Sequence, residues 1–251
     1  MVKEYNKFGY ISGSTLKIIA CILMTIDHVG LELLNDYQPF RIIGRLAFPM
    51  FAFFIAEGCK YTNNKLKRFL MIFSIGAIYM ALYYVCFNSV YGNIFMTFSV
   101  SILFIYLLDF LKIQIFVNKS IFKSIFAFLF FIFAILSAYT LFKIVTFEYD
   151  FWGMLIPVCV SLFNFRKIDM PQKIALLDSH SVRIILLTLS LIPLSVFGRL
   201  NDIQFYCLLS VIPLIFYNGK QGNKRLKYGF YLFYPVHLVI IELISILISQ
   251  F

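Results

Sequence analysis

Apolar residues occur in long runs along the chain, and short polar or charged segments separate the runs. Nine runs are candidates for membrane-spanning segments, at residues 15–34, 41–58, 68–87, 93–111, 121–142, 151–165, 181–197, 201–217 and 227–249. Because a spanning helix needs about 20 apolar residues, this pattern predicts an all-α, polytopic membrane helix bundle. We expect about nine transmembrane helices in a single domain over residues 1–251, with the short sixth segment tilted or re-entrant.

The distribution of Lys and Arg along the chain predicts how these helices are oriented. With the N-terminus inside, the predicted inner segments hold 18 basic residues, whereas the outer segments keep only Arg41, Arg45, Lys143 and Arg199. Cytoplasmic loops of membrane proteins carry such an excess of Lys and Arg. We therefore expect a cytoplasmic N-terminus and an external C-terminus.

The composition restricts where any chemistry can take place. Of the 251 residues, 61% are hydrophobic and 14% are charged, which excludes an ordinary soluble domain. Nine crossings would use roughly 180 residues, so no soluble catalytic domain fits in the loops, and a reaction is expected inside the bundle or at its rim. The net charge of +10 is better explained by membrane orientation than by a nucleic acid partner. No P-loop, dinucleotide-binding motif or metal-ligand spacing is present, so we expect no metal.

The first predicted helix carries ionisable residues that are costly in a membrane and are therefore functional candidates. Lys17 and His28 share one face and are about 16 Å apart along the axis. Glu32 follows one turn after His28, and Asp27 points about a quarter-turn away. A cation near the water boundary and a deep imidazole suit a long anionic ligand. The spacing equally favours a snorkelling lysine and a histidine that hydrogen-bonds a neighbouring helix.

The last predicted helix places a second histidine at a similar depth. His237 lies ten residues after Lys227, which corresponds to about 15 Å of helix. Tyr234 lies within one turn of His237, and Glu242 follows toward the outer end. Two histidines at matching depth favour a shared site over two unrelated packing residues.

A dense group of basic residues follows the second predicted helix, which carries Arg45 and ends near Glu57. Its functional interpretation is a contact to phosphate or to an anionic head group, and ordinary positive-inside charge is the stronger interpretation for the group by itself. We refer to these basic residues, together with one asparagine among them, as the 60–68 cluster: Lys60, Asn63, Lys65, Lys67 and Arg68.

Three stretches of the chain resemble the TraX family, which is named for an integral membrane protein that N-acetylates F-type pilin. They read LKIIACILMTIDHVG, RIIGRLAFPMFAFFIAEGCKYTNN and KYGFYLFYPVHLVII. That family is similar in turn to the multi-pass transmembrane acyltransferase superfamily, which includes the acyltransferase-3 enzymes. Lys17 and His28 match the superfamily's first-helix motif of a basic residue, ten intervening positions and a histidine. Lys stands where Arg is usual and can still act as a point charge for phosphate.

The resemblance implies an acyltransferase of the bacterial cell (plasma) membrane, with acyl-CoA, here acetyl-CoA, as the donor co-substrate. We hypothesise that Lys17 and the 60–68 cluster hold the donor phosphates, and that His28 acts as general base or transient acyl carrier. Asp27 would orient the imidazole. The remaining candidates would hold the thioester carbonyl or shape the acceptor site: His237, Tyr234, Asn93, Arg45, Glu57 and Glu242.

Two other functions fit the same sequence. Mid-helix prolines (Pro49, Pro193, Pro213 and Pro235) are typical of the broken helices of a small-solute transporter, although no internal repeat is present. A non-catalytic scaffold of a secretion or conjugation complex is the third possibility. The expected partners are membrane lipids, acyl-CoA and an acceptor, with no nucleic acid. The acceptor (peptide or pilin N-terminus, glycan or lipid) and the oligomeric state stay open.

Overall fold

The structure, a computed structural model, describes residues 9–165, 174, 176–198 and 201–249 of the chain. These residues form helices and connecting segments, and no β-strand occurs among them. The contacts between residues divide the chain into two compact units. The first unit comprises Met1–Phe54 and Leu191–Phe251, and the second comprises Ile55–Ser190. The expectation of a single domain over residues 1–251 stays a prediction.

Eleven α-helices are numbered here in chain order within the described residues. They are α1 (Gly13–Glu32), α2 (Gln38–Gly44), α3 (Ala47–Tyr61), α4 (Lys65–Phe87), α5 (Ile94–Lys112), α6 (Ile121–Ile144), α7 (Asp150–Val160), α8 (His180–Phe197), α9 (Asn201–Gln204), α10 (Val211–Ile215) and α11 (Lys227–Ser249). A π-helix continues α5 over Ile113–Asn118. Short 3₁₀ helices cover Leu176–Asp178, Phe205–Ser210 and Lys224–Leu226.

Seven helices in the described part of the chain are long and apolar enough to cross a membrane. They cover Gly13–Glu32, Gln38–Tyr61, Lys65–Cys86, Ile94–Asn118, Ile121–Ile144, His180–Phe197 and Tyr228–Ile248. The predicted spans 151–165 and 201–217 contain the shorter apolar helices Asp150–Val160 and Phe205–Ile215. An 11-residue helix is about 16 Å long, roughly half of the hydrocarbon thickness. A multi-pass membrane protein is therefore supported, whereas the count of nine and the orientation stay predictions.

Part of the charge distribution used for the orientation lies outside the described residues. This applies to Lys3, Lys7, Arg166, Lys167, Lys173 and Arg199, and to most of the predicted inner loop 166–180.

In the first unit, α1 and the α2–α3 segment form an antiparallel pair. Lys17, near the start of α1, lies against Phe54 in α3. Asp27, near the end of α1, lies against Gly44 at the end of α2. A Cβ atom at position 44 would overlap the Asp27 side chain. The glycine therefore permits the close approach of α1 and α2, as small residues do between membrane helices.

Helix α11 packs beside α1 in the parallel direction. Near their N-terminal ends, the Lys17 ammonium lies 5.7 Å from the ring centroid of Phe230. Further along, the rings of His28 and His237 lie 5.2 Å apart. This parallel pairing brings residues from the first and last helices of the chain to the same depth.

The start of α1 is fixed by a cap and by a loop that wraps around it. The Ser12 hydroxyl accepts a hydrogen bond from the amide of Thr15 at 3.3 Å, as expected of an N-cap serine. The amide of Gly13 donates to the carbonyl of Lys220 at 2.8 Å. Gly222 has a φ of 77°, a left-handed conformation that favours glycine. These contacts position the first turns of α1, including Lys17.

In the second unit, α5 lies at the centre and packs against α4, α6 and α7. The Asn93 side chain begins α5 by accepting hydrogen bonds from the amides of Phe95 and Met96. Its amide group also donates to the carbonyl of Gly76 in α4 at 2.8 Å. By contrast, α6 exposes most of its large apolar side chains, which is the surface expected of a helix that faces lipid.

The close approach at Gly44 predicts a specific packing defect. Gly44→Ala should destabilise the protein by about 1–3 kcal/mol because the new methyl group overlaps Asp27, lowering Tm by several degrees. Gly229→Ala is the matched control, since a Cβ atom at position 229 meets nothing within 4 Å. Thermal unfolding in detergent measures both variants. Equal Tm values for the two would contradict the close packing of α1 on α2.

Candidate functional site

Two histidines, His28 of α1 and His237 of α11, face each other inside the first unit. Their ring centroids lie 5.2 Å apart, and the ring planes are inclined by 60°. His28 is half-buried, and only 6% of His237 is exposed. Residues that the sequence places at matching depth in two separate helices therefore lie side by side. We call them the histidine pair.

The hydrogen bonding of His237 determines which of its ring nitrogens can take a proton. Nδ1 lies 2.9 Å from the carbonyl oxygen of Phe233. Because a carbonyl can only accept, Nδ1 carries the hydrogen in this contact. Nε2 is buried and has no hydrogen-bond partner among the described residues. In the neutral ring, Nε2 therefore presents an unshared electron pair and can act as a base.

Aromatic side chains of α11 hold the His237 ring in place. The ring of Phe233 stacks on His237 with a centroid distance of 5.0 Å and an interplanar angle of 9°. The ring of Tyr234 lies 5.6 Å away in an edge-on arrangement. Tyr234 is 5% exposed, so it borders the histidine pair from within the first unit. This packing limits the rotation of the imidazole and keeps Nε2 in a defined position.

Lys17 lies in a cradle of aromatic rings at the other end of the α1 face. Its ammonium is 4.9 Å from the ring centroid of Phe54 and 5.7 Å from that of Phe230. Cation–π contacts of this kind hold a cation without neutralising its charge. Lys17 is also in the second turn of α1, where the helix dipole favours a nearby anion. Helix α1 is unbroken from Gly13 to Glu32. The distance of about 16 Å along the axis that the sequence predicts between Lys17 and His28 therefore applies to this helix.

Asp27 is bound to two arginines and not to the imidazole that the sequence suggested. Its Oδ2 accepts a hydrogen bond from the Nη2 of Arg45 and lies 3.0 Å from the Nη1 of Arg41. All three residues are buried, and no hydrogen bond joins Asp27 to His28 in the part of the chain described. A buried guanidinium needs a counter-charge, so Asp27 goes to the arginines. We call this group the Asp27 ion cluster.

The two remaining acceptor candidates of the first unit lie in different environments. Arg45 belongs to the Asp27 ion cluster and is 3% exposed. Glu242 is exposed on α11, and its carboxylate interacts electrostatically with that of Glu32. The structure thus gives Arg45 a buried pairing role, whereas Glu242 stays at the surface, away from the ring of His237.

In the second unit, two lysines of the 60–68 cluster form ion pairs with carboxylates. The ammonium of Lys60 lies 2.5 Å from Asp178, and that of Lys65 lies 2.8 Å from Asp109. Lys60 is buried and Lys65 is half-buried. Their positive charges are therefore largely compensated within the second unit, which the sequence did not predict.

The other members of the 60–68 cluster are placed differently. Arg68 is half-buried and donates from Nη2 to the carbonyl of Ile55 at 3.3 Å. Asn63 and Lys67 are exposed. The cluster is thus divided into buried structural cations and an exposed part that an anion can reach.

Two further candidates have structural partners in the second unit. Glu57 accepts a hydrogen bond from Arg183 between buried side chains. Asn93 is fully buried as the N-cap of α5 and donates to Gly76. These contacts make Glu57 an ion-pair partner and Asn93 a helix cap, and their expected contacts with an acceptor stay predictions.

Metal-ligating side chains are not clustered in the residues that the structure describes. No group of three or more His, Cys, Asp or Glu side chains is positioned there to hold a metal ion. The histidine pair itself supplies two imidazoles, one fewer than the three protein ligands of a typical catalytic zinc site.

Several residues that the sequence analysis did not select complete these sites. Phe233 and Arg41 each lie four positions before a selected residue, His237 and Arg45, so helix periodicity alone could have identified them. The partners Asp109, Asp178 and Arg183 come from distant segments, and no local signal pointed to them.

Comparison with known protein families and curated proteins gives matches over most of the chain. The family model described as "TraX protein" matches residues 12–245. A probable fimbrial assembly protein FimC (serogroup H1) of Dichelobacter nodosus is 27% identical over 247 residues, covering 92% of this chain and 94% of that protein. An uncharacterized protein of Rickettsia prowazekii (strain Madrid E) is 39% identical over 79 residues, covering 32% of this chain and 30% of that protein. No solved structure shows significant similarity.

The Asp27 ion cluster predicts a large effect of removing its carboxylate. Asp27→Asn removes the buried carboxylate that pairs with both Arg41 and Arg45, which should cost about 3–5 kcal/mol of stability. Chemical unfolding in detergent micelles measures this loss. Asp36→Asn is the control, because Asp36 pairs with Arg41 from an exposed position, where an ion pair contributes about 1 kcal/mol or less. Unchanged stability of Asp27→Asn would show that the carboxylate serves another purpose.

Proposed function

The chain belongs to the TraX family, and we propose that it is an integral membrane acetyltransferase acting at the histidine pair. It would move the acetyl group of acetyl-CoA to an amine or hydroxyl of a peptide, glycan or lipid acceptor. The observation that carries this proposal is the buried pair of His28 and His237, with the Nε2 of His237 unbonded and available as a base. The resemblance to transmembrane acyltransferases supports the choice of reaction.

The proposed reaction needs one base and one route for the leaving group. The acceptor nitrogen or oxygen attacks the thioester carbonyl and forms the new bond to the acetyl carbon. Its proton passes to a neutral imidazole, which acts as general base. The bond from the carbonyl carbon to sulfur then breaks, and the same proton returns to the CoA thiolate. In the variant with a covalent carrier, the ring nitrogen of His28 attacks the thioester carbonyl and the bond to sulfur breaks, so that the CoA thiolate leaves and takes the proton that the ring loses. The acceptor then attacks the acetyl-imidazole, the carbon–nitrogen bond to His28 breaks, and the acceptor proton passes to the released ring.

We assign His28 the role of general base or acyl carrier and His237 that of its partner across the site. The two rings are within the reach of one acyl group, and His237 is held by Phe233 and Tyr234. The second imidazole can take the acceptor proton at its Nε2, so that each ring needs only one function. Preorganised groups of this kind lower the cost of developing charge.

The donor is proposed to enter at the Lys17 end of α1. The Lys17 ammonium lies against the rings of Phe54 and Phe230, and the N-terminal end of α1 adds a favourable dipole for phosphate. The long arm of CoA would then follow α1 toward His28. In the second unit, Lys67 and Asn63 stay candidates for contact with an anion because both are exposed, whereas Lys60 and Lys65 are already paired.

A second candidate function comes from the comparison with the Dichelobacter nodosus protein. Its name states a probable role in fimbrial assembly, and the two chains align over nearly their whole length. This chain could therefore act on, or assemble with, a surface fibre subunit. Such a role is compatible with acetyl transfer if the subunit is the acceptor.

The acyltransferase proposal is tested with purified protein and radiolabelled acetyl-CoA. Transfer to peptide, glycan and lipid acceptors should fall about 100-fold or more in His28→Ala, because general-base catalysis contributes about 10²–10⁴-fold. His180→Ala is the matched control, since His180 begins α8 in the second unit. Full activity of a well-folded His28→Ala variant would overturn the proposed role. Tight binding of a fibre subunit without any acetyl transfer would favour the assembly function.

A change of donor distinguishes a contact between Lys17 and the donor phosphates from an effect of Lys17 on folding. Lys17→Gln should raise the KM for acetyl-CoA about tenfold or more, because a charge-assisted contact to phosphate is lost. Lys17→Arg should keep most of the affinity. With acetyl-pantetheine, which lacks the nucleotide phosphates, Lys17→Gln and the parent protein should react alike. Equal losses with both donors would assign Lys17 to packing instead of phosphate binding.

A further inference from the structure

A groove between α1 and α11 opens on the surface of the first unit and is not used by the proposed reaction. Its volume is about 430 Å³, within the range of small-ligand sites. The residues that line it are Ile18, Cys21, Ile22, Thr25, Ile26, Leu226, Gly229, Phe230 and Phe233. Ile18 and Ile22 are exposed, so in a membrane the groove opens toward the lipid.

The groove lies beside the α1 face that carries Lys17 and His28, and its lining residues Phe230 and Phe233 also contact Lys17 and His237. At about 100° per residue, Ile18, Ile22 and Ile26 lie roughly a quarter-turn or more around the helix from that face. A donor that follows the Lys17–His28 face would therefore pass beside the groove. Between Ile18 and Ile26 the groove extends about 12 Å along α1.

The lining of the groove suits a hydrocarbon chain. Thr25 is the single hydroxyl among the lining residues, and it already donates to the carbonyl of Cys21 at 3.1 Å. The two amides of a pantetheine arm would lose their hydrogen bonds to water in such a groove without gaining partners, which is costly. An alkyl chain has no polar groups to satisfy.

Gly229 creates part of this space. A Cβ atom at position 229 would meet no atom within 4 Å, although glycine weakens a helix interior relative to alanine. A side chain at this position can therefore begin without a clash, and a larger one would extend into the groove. A substitution of Gly229 can therefore be used to fill the groove.

Positive charge lies at one end of the groove. Lys224 and Arg225 immediately precede the lining residue Leu226 in a short 3₁₀ helix, and both are exposed. Basic residues that flank a membrane helix attract anionic lipids. The combination is a cationic rim followed by a hydrocarbon slot that opens to the bilayer.

We propose that this groove binds an anionic phospholipid, with one acyl chain in the slot and the head-group phosphate at Lys224 and Arg225. The lipid occupies a site distinct from the histidine pair, so the proposal does not depend on acetyl transfer. It predicts a selective lipid site and not the unselective contact that any exposed apolar surface makes with the bilayer.

The test uses a single tryptophan as a reporter in vesicles. Trp152 is the one tryptophan of the chain, so Trp152→Phe combined with Phe230→Trp gives a reporter in the groove. Vesicles contain equal amounts of phosphatidylglycerol and phosphatidylcholine, and either one or the other lipid carries brominated chains that quench tryptophan. The reporter should be quenched several-fold more effectively by brominated phosphatidylglycerol. The reference is Trp152→Phe with Ile240→Trp, at a position of α11 exposed outside the groove, where the two lipids should quench alike.

Two further variants decide what causes the preference. Gly229→Leu should fill the slot and abolish the preference while the Tm stays equal or rises. Lys224→Gln with Arg225→Gln should also abolish it, since each of the two cations contributes about a fivefold factor. Equal quenching by both lipids at the groove reporter would overturn the proposal. Displacement of either brominated lipid by added palmitoyl-CoA, with no preference for phosphatidylglycerol, would also overturn it and assign the slot to an acyl thioester.

Discussion

The buried interaction between Asp27 and the guanidinium groups of Arg41 and Arg45 constrains the first unit more than any other contact. Three charges inside an apolar environment are tolerated only when they stay together. Because Asp27 is in α1 and both arginines are in or next to α2, this requirement fixes the register of the two segments. Gly44 provides the room for that approach. The next residue along α1 is His28, so the ion cluster also fixes the depth and direction of the candidate catalytic imidazole.

The same constraint explains why the histidine pair can have a defined geometry in a lipid-exposed bundle. His28 is positioned by the ion cluster on its own helix, and His237 is positioned by stacking on Phe233 and by its hydrogen bond to the Phe233 carbonyl. Neither imidazole therefore depends on the other for its orientation. This arrangement leaves Nε2 of His237 available to a substrate. If the two imidazoles were joined by a hydrogen bond to each other, that nitrogen would already be occupied.

Much of this arrangement follows from helix geometry applied to the sequence, and some of it does not. Counting residues from the charged ends gave His28 and His237 similar depths, and the structure places their rings in contact. The four-residue spacing of Arg41 and Arg45 is that of one helix face, but it could not show that Asp27 would turn toward them, since the choice between an imidazole and two cations depends on which helix packs alongside. The paired state of Lys60 and Lys65 was likewise beyond local patterns. Their carboxylate partners come from segments 118 and 44 residues away, so only the tertiary structure distinguishes these structural cations from the exposed Lys67.

Different faces of α1 contribute to the two proposed sites. One face carries Lys17 and His28, and Asp27 lies about a quarter-turn from it, against α2. A third face, with Ile18, Ile22 and Ile26, lines the groove beside Gly229. A helix in a membrane has no water to which a polar ligand could turn, so a charged thioester and a lipid chain require different faces. With Lys17 one turn inside the start of α1, and with Lys224 and Arg225 just before α11, both faces have their cations at the same end of the parallel helix pair. An anionic donor and an anionic lipid would thus approach from one side of the membrane without competing for the same groove.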